Sequence, residues 1–401
     1  MSGMLDGVRV LDLTQVVSGP FGTLLLGDLG AEVIKIEPPG GDTSRGMPTP
    51  KWAVPDESVY FCALNRNKRS IVLDLKDEED RRVLLDLVRI SDVVIDNYRP
   101  GVLERLGVDH AALAAVNPRI IACSITGFGS AGPRAEQPAF DLMIQARYGG
   151  MHVTGTPGGE PVRMGVSISD HAAGMFAALA ICAALHARDR TGQGRRIEVP
   201  LASAMVSLLS YMGATTLATG ENPGPQGSRH ATGVPYGAVR AKDQWFVVDS
   251  HLQHFWAKFG PAIGRPDLAE DARFKTREAR NKNRAELYRI LDDHFASKTA
   301  AEWLATLEEA GVPCAPINTL SEALADPQTL HNRMVVEIEH AGGAAFKAVG
   351  NPILDATDPE PRYASPPPLG SDAEPILREL LAYDDDRVGA YFARRAKTPS
   401  G

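Results

Sequence analysis

Cysteine is scarce. Cys62, Cys123, Cys182 and Cys314 are the four in 401 residues, and no two stand in a CxxC spacing. A disulfide framework is therefore excluded, and free buried thiols in a reducing compartment are expected. None of the ten histidines falls in an HExxH motif, so the sequence offers no metal site. Positive charge is in deficit: 42 Lys and Arg against 50 Asp and Glu leave a net charge of -8. That balance argues against a nucleic-acid-binding face. The first residues, MSGMLDGVRVLDLTQ, lack the basic flank and apolar core of a signal peptide. Low-complexity tracts and repeats are missing as well. A cytoplasmic protein with no nucleic-acid or membrane partner is the expectation.

What is present alternates. Residues 8–14 (VRVLDLT) read as a buried strand, 16–30 as a Gly/Pro turn becoming a helix, and 31–37 as a second strand. Such a unit implies a right-handed parallel crossover. The turn after the first strand is not GxGxxG, so a dinucleotide fingerprint is absent. A long loop over 38–58 follows, of a length often functional. The pattern repeats with a strand at 70–76, a helix at 77–92, a strand at 93–101, a helical stretch to 117 and a strand at 119–129. A doubly wound, Rossmann-like α/β domain is the expected fold. Residues 195–220 add a last strand and a long apolar helix. A chain of this length suggests two domains. The Gly/Pro-rich stretch 221–237 reads as a linker. The boundaries expected are a large domain over 1–205 and 341–401, a smaller α+β domain over 225–325, and linkers at 206–224 and 326–340. Residues 341–370 read as irregular, and 373–396 as an amphipathic helical tail able to return to the first domain.

One carboxylate stands out. Asp170 begins an apolar segment, Ala172 to Leu185, with no polar stripe. Such a helix is expected to pack on all sides inside a large domain, and to be too short for a membrane because His186 and Arg188 interrupt it. Ser169 and Asp170 sit where N-caps sit. A cap and a nucleophilic carboxylate at the positive end of a helix are both compatible with the sequence. Lys76, Asn97, Tyr98, Arg99 and Arg105 fall at strand ends, where they can hold a phosphorylated ligand or simply be solvated. The glycines around HVTGTPGGEP can let backbone N–H groups approach a ligand or merely mark turns.

A set of segments in order along nearly the whole chain resembles the class III CoA-transferases, the family of formyl-CoA transferase, carnitine CoA-transferase and the succinate–glutarate transferase. They include VRVLDLTQVVSGPFGTLLLGDLGAEVIKIEPPGGD, NRNKRSIVLDLK, DVVIDNYRPGVLERLG, SITGFGSAGP, FDLMIQA, PVRMGVSISDHAAG, RTGQGRRIEVPL, GVPYGAVRAKD and GVPCAPINTLSEALADPQ. The resemblance implies a large α/β domain of N- and C-terminal segments, a small domain between, and two chains interlocked as a homodimer. It also implies that Asp170, in the Gly165–Asp170 segment, is the catalytic nucleophile. Successive aspartyl anhydride and aspartyl-CoA thioester intermediates follow from that role. Acyl-CoA and a small carboxylic acid are then the substrates, with no tightly bound cofactor and no metal.

Carried over position by position, the resemblance assigns CoA contacts to Val16, Ser18, Leu73, Lys76, Asn97, Tyr98, Val102 and Arg105. Val17 replaces a catalytic-site Gln of formyl-CoA transferase, and Pro38 and Pro138 replace basic contacts. Phosphate binding must then lean on Arg99, Arg105 and Lys76. The small domain also lacks the glycine run that closes over formyl-CoA, which argues against oxalate and formyl-CoA as the substrate pair. The 2-methylacyl-CoA racemases resemble the chain over the same segments, but they carry a His where Phe140 precedes Asp141. A non-catalytic acyl-CoA-binding protein is a further alternative. Similarity to the succinate–glutarate type implies succinyl-CoA as donor and a C4–C6 dicarboxylate as acceptor. Arg163, Arg147, Arg229 and His230 are candidates for its distal carboxylate, while Tyr148, Met151 and Tyr236 suit an apolar acceptor instead.

Overall fold

The structure, a computed structural model, describes residues 3–54, 57–357 and 363–396. Parts of the expected 38–58 loop and of the 341–370 segment fall outside the described residues. Contacts divide the chain into two units. The first takes in residues up to Gly150, Arg163–Glu221 and the chain from Gln328 onward; the second comprises Met151–Val162 and Asn222–Pro327.

The first unit is built on six short strands: β1 (Arg9–Asp12), β2 (Glu32–Glu37), β3 (Lys68–Val72), β4 (Val93–Asp96), β5 (Ile121–Thr126) and β6 (Arg195–Pro200). They form one sheet in the order β3-β2-β1-β4-β5-β6, and every pairing is parallel. This is the order of doubly wound sheets, whose strand sequence reverses between β1 and β4. A parallel sheet buries both faces, which explains why β1, β2, β4 and β5 are almost wholly buried along their length. Helices α1 (Ser18–Asp28), α2 (Val59–Leu64), α3 (Glu78–Arg89), α4 (Val102–Leu106), α5 (His110–Val116), α6 (Asp141–Arg147), the single turn α7 (Gly150–Val153), α8 (Ile168–Thr191), α9 (Leu201–Leu208) and α10 (Ser210–Thr219) complete the run up to residue 219. On one face Leu11, Ile34, Ile71 and Val94 pack with α3 and α5. On the other, Val10, Val33, Ile95 and Cys123 pack with α8 and α9.

Local chemistry moved several boundaries. The strand expected at 70–76 stops at Val72, because Asp74 turns the chain: its carboxylate accepts from the Lys76 N–H at 3.0 Å, and its carbonyl from the Asp77 N–H at 2.8 Å. Leu73 and Lys76 thus lie beyond the strand. Asp77 then caps α3 by accepting from the Glu79 and Asp80 N–H groups. The helix expected after residue 101 is two, separated by Gly107 in the left-handed region and by the Asp109 cap of α5. Inside the 38–58 loop, Asp42 caps a short 3₁₀ turn, and α2 was not anticipated at all. The apolar helix after β6 is broken by 78° between α9 and α10. Residues 206–224, expected as a linker, therefore carry the end of α9 and all of α10.

The second unit holds an antiparallel sheet of β7 (Tyr236–Arg240), β8 (Trp245–Asp249) and β9 (Cys314–Pro316). Its helices are α11 (Gln253–Ala262), α12 (Asp267–Glu270), α13 (Arg277–Lys282), α14 (Arg284–Phe295), α15 (Ala300–Glu309) and α16 (Leu320–Ala325). Trp256, Phe259, Phe295 and Trp303 form the centre of its core. Within 326–340, expected as a linker, the chain forms α17 (Pro327–His331) and then β10 (Val335–Glu339). That strand pairs with β11 (Ala345–Val349), inside a segment expected to be irregular. The described residues close, after a short helical turn at α18 (Ala373–Pro375), with α19 (Asp385–Ala396), whose Val388 and Tyr391 pack into the core beside α3.

α8 departs from expectation in two ways. It runs for 24 residues to a left-handed Gly192 cap and is long and apolar enough to cross a membrane, with half of its apolar window buried inside the chain. It is also not buried all round, since Met175 and Leu179 are 46% and 66% exposed. Its opposite face meets α1 at closest range. A Cβ at Gly174 would stand 2.4 Å from the Ser18 carbonyl oxygen, and one at Gly22 would stand 2.8 Å from the Gly174 carbonyl oxygen. Two glycines thus let α1 and α8 approach backbone to backbone within their first two turns. Gly174→Ala is expected to destabilise the fold by about 1–3 kcal/mol through overpacking against a main-chain atom. Urea unfolding measures it, and an unchanged midpoint would show that the contact is loose.

Candidate active site

Parallel α/β sheets bind ligands outside the carboxyl ends of their strands, at the point where strand order reverses. Here that point is the β1/β4 crevice, and the residues after β1 are held with unusual firmness. Asn97 locks Gln15 in both directions, accepting from its N–H at 2.9 Å and donating to its carbonyl at 2.8 Å. Val16 adopts a left-handed φ of 69°, and its N–H donates to Asp42 Oδ1 at 3.2 Å.

Beneath this turn lies a buried ionic network. Lys68 bonds Asp12 at 3.0 Å and donates to the Pro20 carbonyl at 3.1 Å; Lys35 pairs with Asp42 at 2.8 Å and donates to the Thr14 carbonyl at 2.9 Å. Burial alone would raise the Asp12 carboxyl, but Lys68, Lys35 and the Thr14 and Thr23 hydroxyls outweigh it and hold it well below the usual range. Burial pulls Lys68 down to about 8 despite Asp12. Ion pairs removed from water demand close partners, and these have them. Their effect is to fix the backbone of residues 14–20.

Asp170 is the third residue of α8, one turn before Gly174. The cap position belongs to Ser167, so Asp170 does not cap. Ser169 is occupied elsewhere: its N–H and hydroxyl both donate to Asp141 Oδ1, at 2.9 and 2.6 Å. Gln145 donates to the other Asp141 oxygen at 2.7 Å and accepts from the Met164 N–H at 2.8 Å. Asp141 therefore pins α8 to α6. The half-buried Asp170 carboxylate, by contrast, accepts no hydrogen bond among the described residues. Burial, then the Asp141 charge, pushes its pKa up to about 7. Tyr60, on α2, faces the same carboxylates; its phenol is raised by burial, then by Asp170, Asp141 and Asp42. A carboxylate left free, partly dry and next to a like charge is equipped for nucleophilic or proton-transfer chemistry.

The other sequence candidates fall along one sheet edge. Val16 and Ser18 follow β1, Asn97 to Arg105 follow β4, and Leu73 and Lys76 follow β3 on the far side of β2. Hydrogen bonds join the first two groups directly. Leu73 is buried, Tyr98 and Val102 are half-buried, and Lys76, Arg99 and Arg105 are exposed with side chains in no ion pair among the described residues. Among the proposed acceptor contacts, Arg229 is engaged, bidentate on Asp292 at 2.7 and 2.9 Å and stacked over Tyr288. His230 stacks on Tyr236. Arg147 and Arg163 are exposed. The glycines at 155–159 belong to the second unit, whereas Gly149 and Gly150 belong to the first. Tyr60 and the pinning role of Asp141 escaped the sequence reading. Asp141 was visible in FDLMIQA, but its bond to Ser169 spans 28 residues.

A parallel sheet with a braced switch-point turn and an unpaired carboxylate at a helix start defines an α/β enzyme. Residues 5–373 match CoA-transferase family III. The chain is 40% identical over 386 residues to the mouse succinyl-CoA:glutarate CoA-transferase, covering 96% of this chain and 88% of that protein. It is 42% identical over 368 residues to the acetyl-CoA:oxalate CoA-transferase of Acetobacter aceti, covering 91% and 92%. A CaiB/BaiF family protein from Brucella suis superposes with a TM-score of 0.85 at 36% identity, over 95% of this chain and all of that one. The chain belongs to CoA-transferase family III and is a CoA-transferase.

A reaction that uses the ionised Asp170 carboxylate should show kcat/KM rising with pH through about 7 and levelling off above it. Asp141→Asn removes the neighbouring charge yet keeps an acceptor for Ser169, and should move that midpoint down. An unmoved midpoint would mean that Asp141 does not tune Asp170. Stability has the opposite sign. Between 3.8 and about 7 the folded chain keeps a proton that the unfolded chain has lost, so folding weakens as pH rises through that window. Asp170→Asn should therefore melt higher than the parent, fully so above pH 7 and not at all below 3.8.

Proposed function

We propose that Asp170 is the covalent carrier in a transfer of CoA from succinyl-CoA to a C4–C6 dicarboxylic acid. The observation that carries the reading is the contrast between two neighbouring carboxylates: Asp141 is fully engaged, and Asp170 is free. An Asp170 oxygen attacks the thioester carbonyl, the C–S bond breaks and CoA leaves as thiolate. The mixed anhydride is then attacked at its aspartyl carbonyl by that thiolate, which releases the donor acid and leaves an aspartyl-CoA thioester. The acceptor carboxylate attacks this thioester, and the freed thiolate finally takes the acceptor acyl group and restores Asp170. Each intermediate keeps the transfer potential of a thioester, so one difficult exchange becomes several easy ones. Water must be excluded throughout, or the anhydride hydrolyses.

For CoA we assign the turn at Val16 and Ser18, the β3 end at Leu73 and Lys76, and the β4 end at Asn97, Tyr98, Arg99, Val102 and Arg105. The exposed, unpaired Lys76, Arg99 and Arg105 suit phosphates. Asn97 acts through Gln15, whose backbone it already holds. The dicarboxylate preference rests on the mouse relative, which is named for succinyl-CoA and glutarate. The Acetobacter aceti relative, named for acetyl-CoA and oxalate, marks the alternative acceptor. With Arg229 held by Asp292, Arg163 and Arg147 are the better candidates for the distal carboxylate. The racemase alternative is weakened at the residue it requires: Phe140 stands where those enzymes carry a His, and the nearby His171 is tied to the Ser167 carbonyl at 2.8 Å.

A homodimer, interlocked as in the family it resembles, belongs to the same reading. Phe140, Met143, Val166, Leu179, Tyr211 and Leu217 are exposed apolar side chains on α6, α8, α10 and the residues just before α6 and α8. So much bare apolar surface marks an interface. The unpaired thiols fit a reducing cytoplasm.

Asp170→Ala should lose transfer activity while still binding CoA; full activity in that variant refutes the mechanism. A mass-spectrometric screen of succinyl-CoA and acetyl-CoA against mono- and dicarboxylic acids identifies the acceptor, and CoA esters of monocarboxylates alone would overturn the dicarboxylate assignment. In deuterated water without acceptor acid, no rapid α-exchange of the acyl-CoA is expected, whereas exchange would favour racemisation. Sedimentation should give a dimer at micromolar concentration, and a stable, fully active monomer contradicts that.

A further inference from the structure

The carboxyl ends of β4, β5 and β6 line a cavity of about 380 Å3, on the sheet face that carries α5. Its floor is polar and fixed. Asp96, only 5% exposed, accepts from the Ser124 hydroxyl at 2.6 Å and from the Tyr98 N–H at 3.1 Å. Glu198 accepts from the Thr126 and Ser130 hydroxyls, at 3.2 and 2.9 Å. Every one of these bonds leaves acceptor capacity on the carboxylates. The lining also includes two guanidinium groups, Arg99 and Arg196, neither of which makes an ion pair or side-chain hydrogen bond among the described residues. Opposite charges thus line one small cavity without forming an ion pair among the described residues. Burial pushes the Asp96 carboxyl up to about 6, a cost that a cationic guest would relieve.

We propose that this cavity is a second small-molecule site, taking a zwitterion of amino-acid size with its ammonium group on Asp96 and Glu198 and its carboxylate on Arg196. The volume falls within the range of small-ligand pockets. A phosphate of CoA is a poor occupant: Asp96, Glu104, Asp109 and Glu198 outnumber Arg99 and Arg196 around the same space. The site shares one wall with the proposed CoA contacts, the turn from Asp96 to Arg99. Asp96 holds the Tyr98 N–H from the cavity side, while the adjacent Asn97 holds Gln15 from the other. Occupancy therefore bears on the same turn that positions the CoA-side residues, and by linkage any effect on acyl-CoA affinity is reciprocal.

Calorimetric titration of the full-length chain with γ-aminobutyrate and L-alanine, and with butyrate and butylamine as single-charge controls, tests this. At least one zwitterion should bind once per chain, with or without saturating CoA, and about tenfold more tightly than either control, as the loss of one charged contact implies. Glu198→Gln and Arg196→Gln should each weaken that binding about tenfold, with circular dichroism and CoA-transfer turnover unchanged. Heat from neither zwitterion, equal binding of butyrate, displacement by CoA, or indifference to both substitutions would each overturn the proposal. Because Asp170→Ala leaves this cavity intact, binding there is measured independently of the transfer mechanism.

Discussion

Everything at the candidate active site depends on two helices being allowed to touch without side chains between them. Gly22 and Gly174 bring the starts of α1 and α8 together, so the loop after β1 and the first turn of α8 become neighbours although they are some 150 residues apart in sequence. A methyl group at either glycine would meet main-chain atoms, which cannot swing aside as a flexible side chain can. From the other side, the Asp12–Lys68 and Lys35–Asp42 pairs hold residues 14–20 through carbonyl and N–H groups. The loop is thus clamped between a close helix contact and a buried charge network. Preorganisation of this kind places reacting groups before substrate arrives.

Within that frame, two aspartates divide the work. Asp141 spends both oxygens on Ser169 and Gln145, which fixes the height and rotation of the α8 start. Asp170, one residue further, is left with its charge, its burial and its unfavourable neighbour. The same features that keep its pKa near 7 subtract from stability, as is common where function requires an uncomfortable group. The apolar body of α8 supplies the compensating burial through Ala173, Ala177 and Ile181, all fully buried against the sheet.

Much of this was legible in the sequence. Runs such as VRVLDL and EVIKIE announced a parallel sheet, and the turn signals between them gave its crossovers. Where the reading slipped, short-range polar chemistry had overridden periodicity: Asp74 ended β3 early, Asp109 divided a helix, and the 78° bend separated α9 from α10. Asp170 was visible as an oddity, but its sequence neighbours allowed a cap as readily as a nucleophile. Deciding against the cap required knowing that Ser167 holds that position and that Asp141, 28 residues before Ser169, takes the adjacent hydroxyl. Tyr60 was hidden because α2 has too few residues to show a period.

The central claim is that Asp170 becomes covalently acylated in each turnover, and isotope transfer tests it most directly. An acceptor acid labelled with heavy oxygen in its carboxylate attacks the aspartyl thioester, and the bridging oxygen stays behind when CoA takes the acyl group. After many turnovers, peptide mass spectrometry should find heavy oxygen in the Asp170 side chain and in no other carboxylate. Turnover that leaves Asp170 unlabelled, with the heavy oxygen retained in the acid or lost to water, would contradict the account.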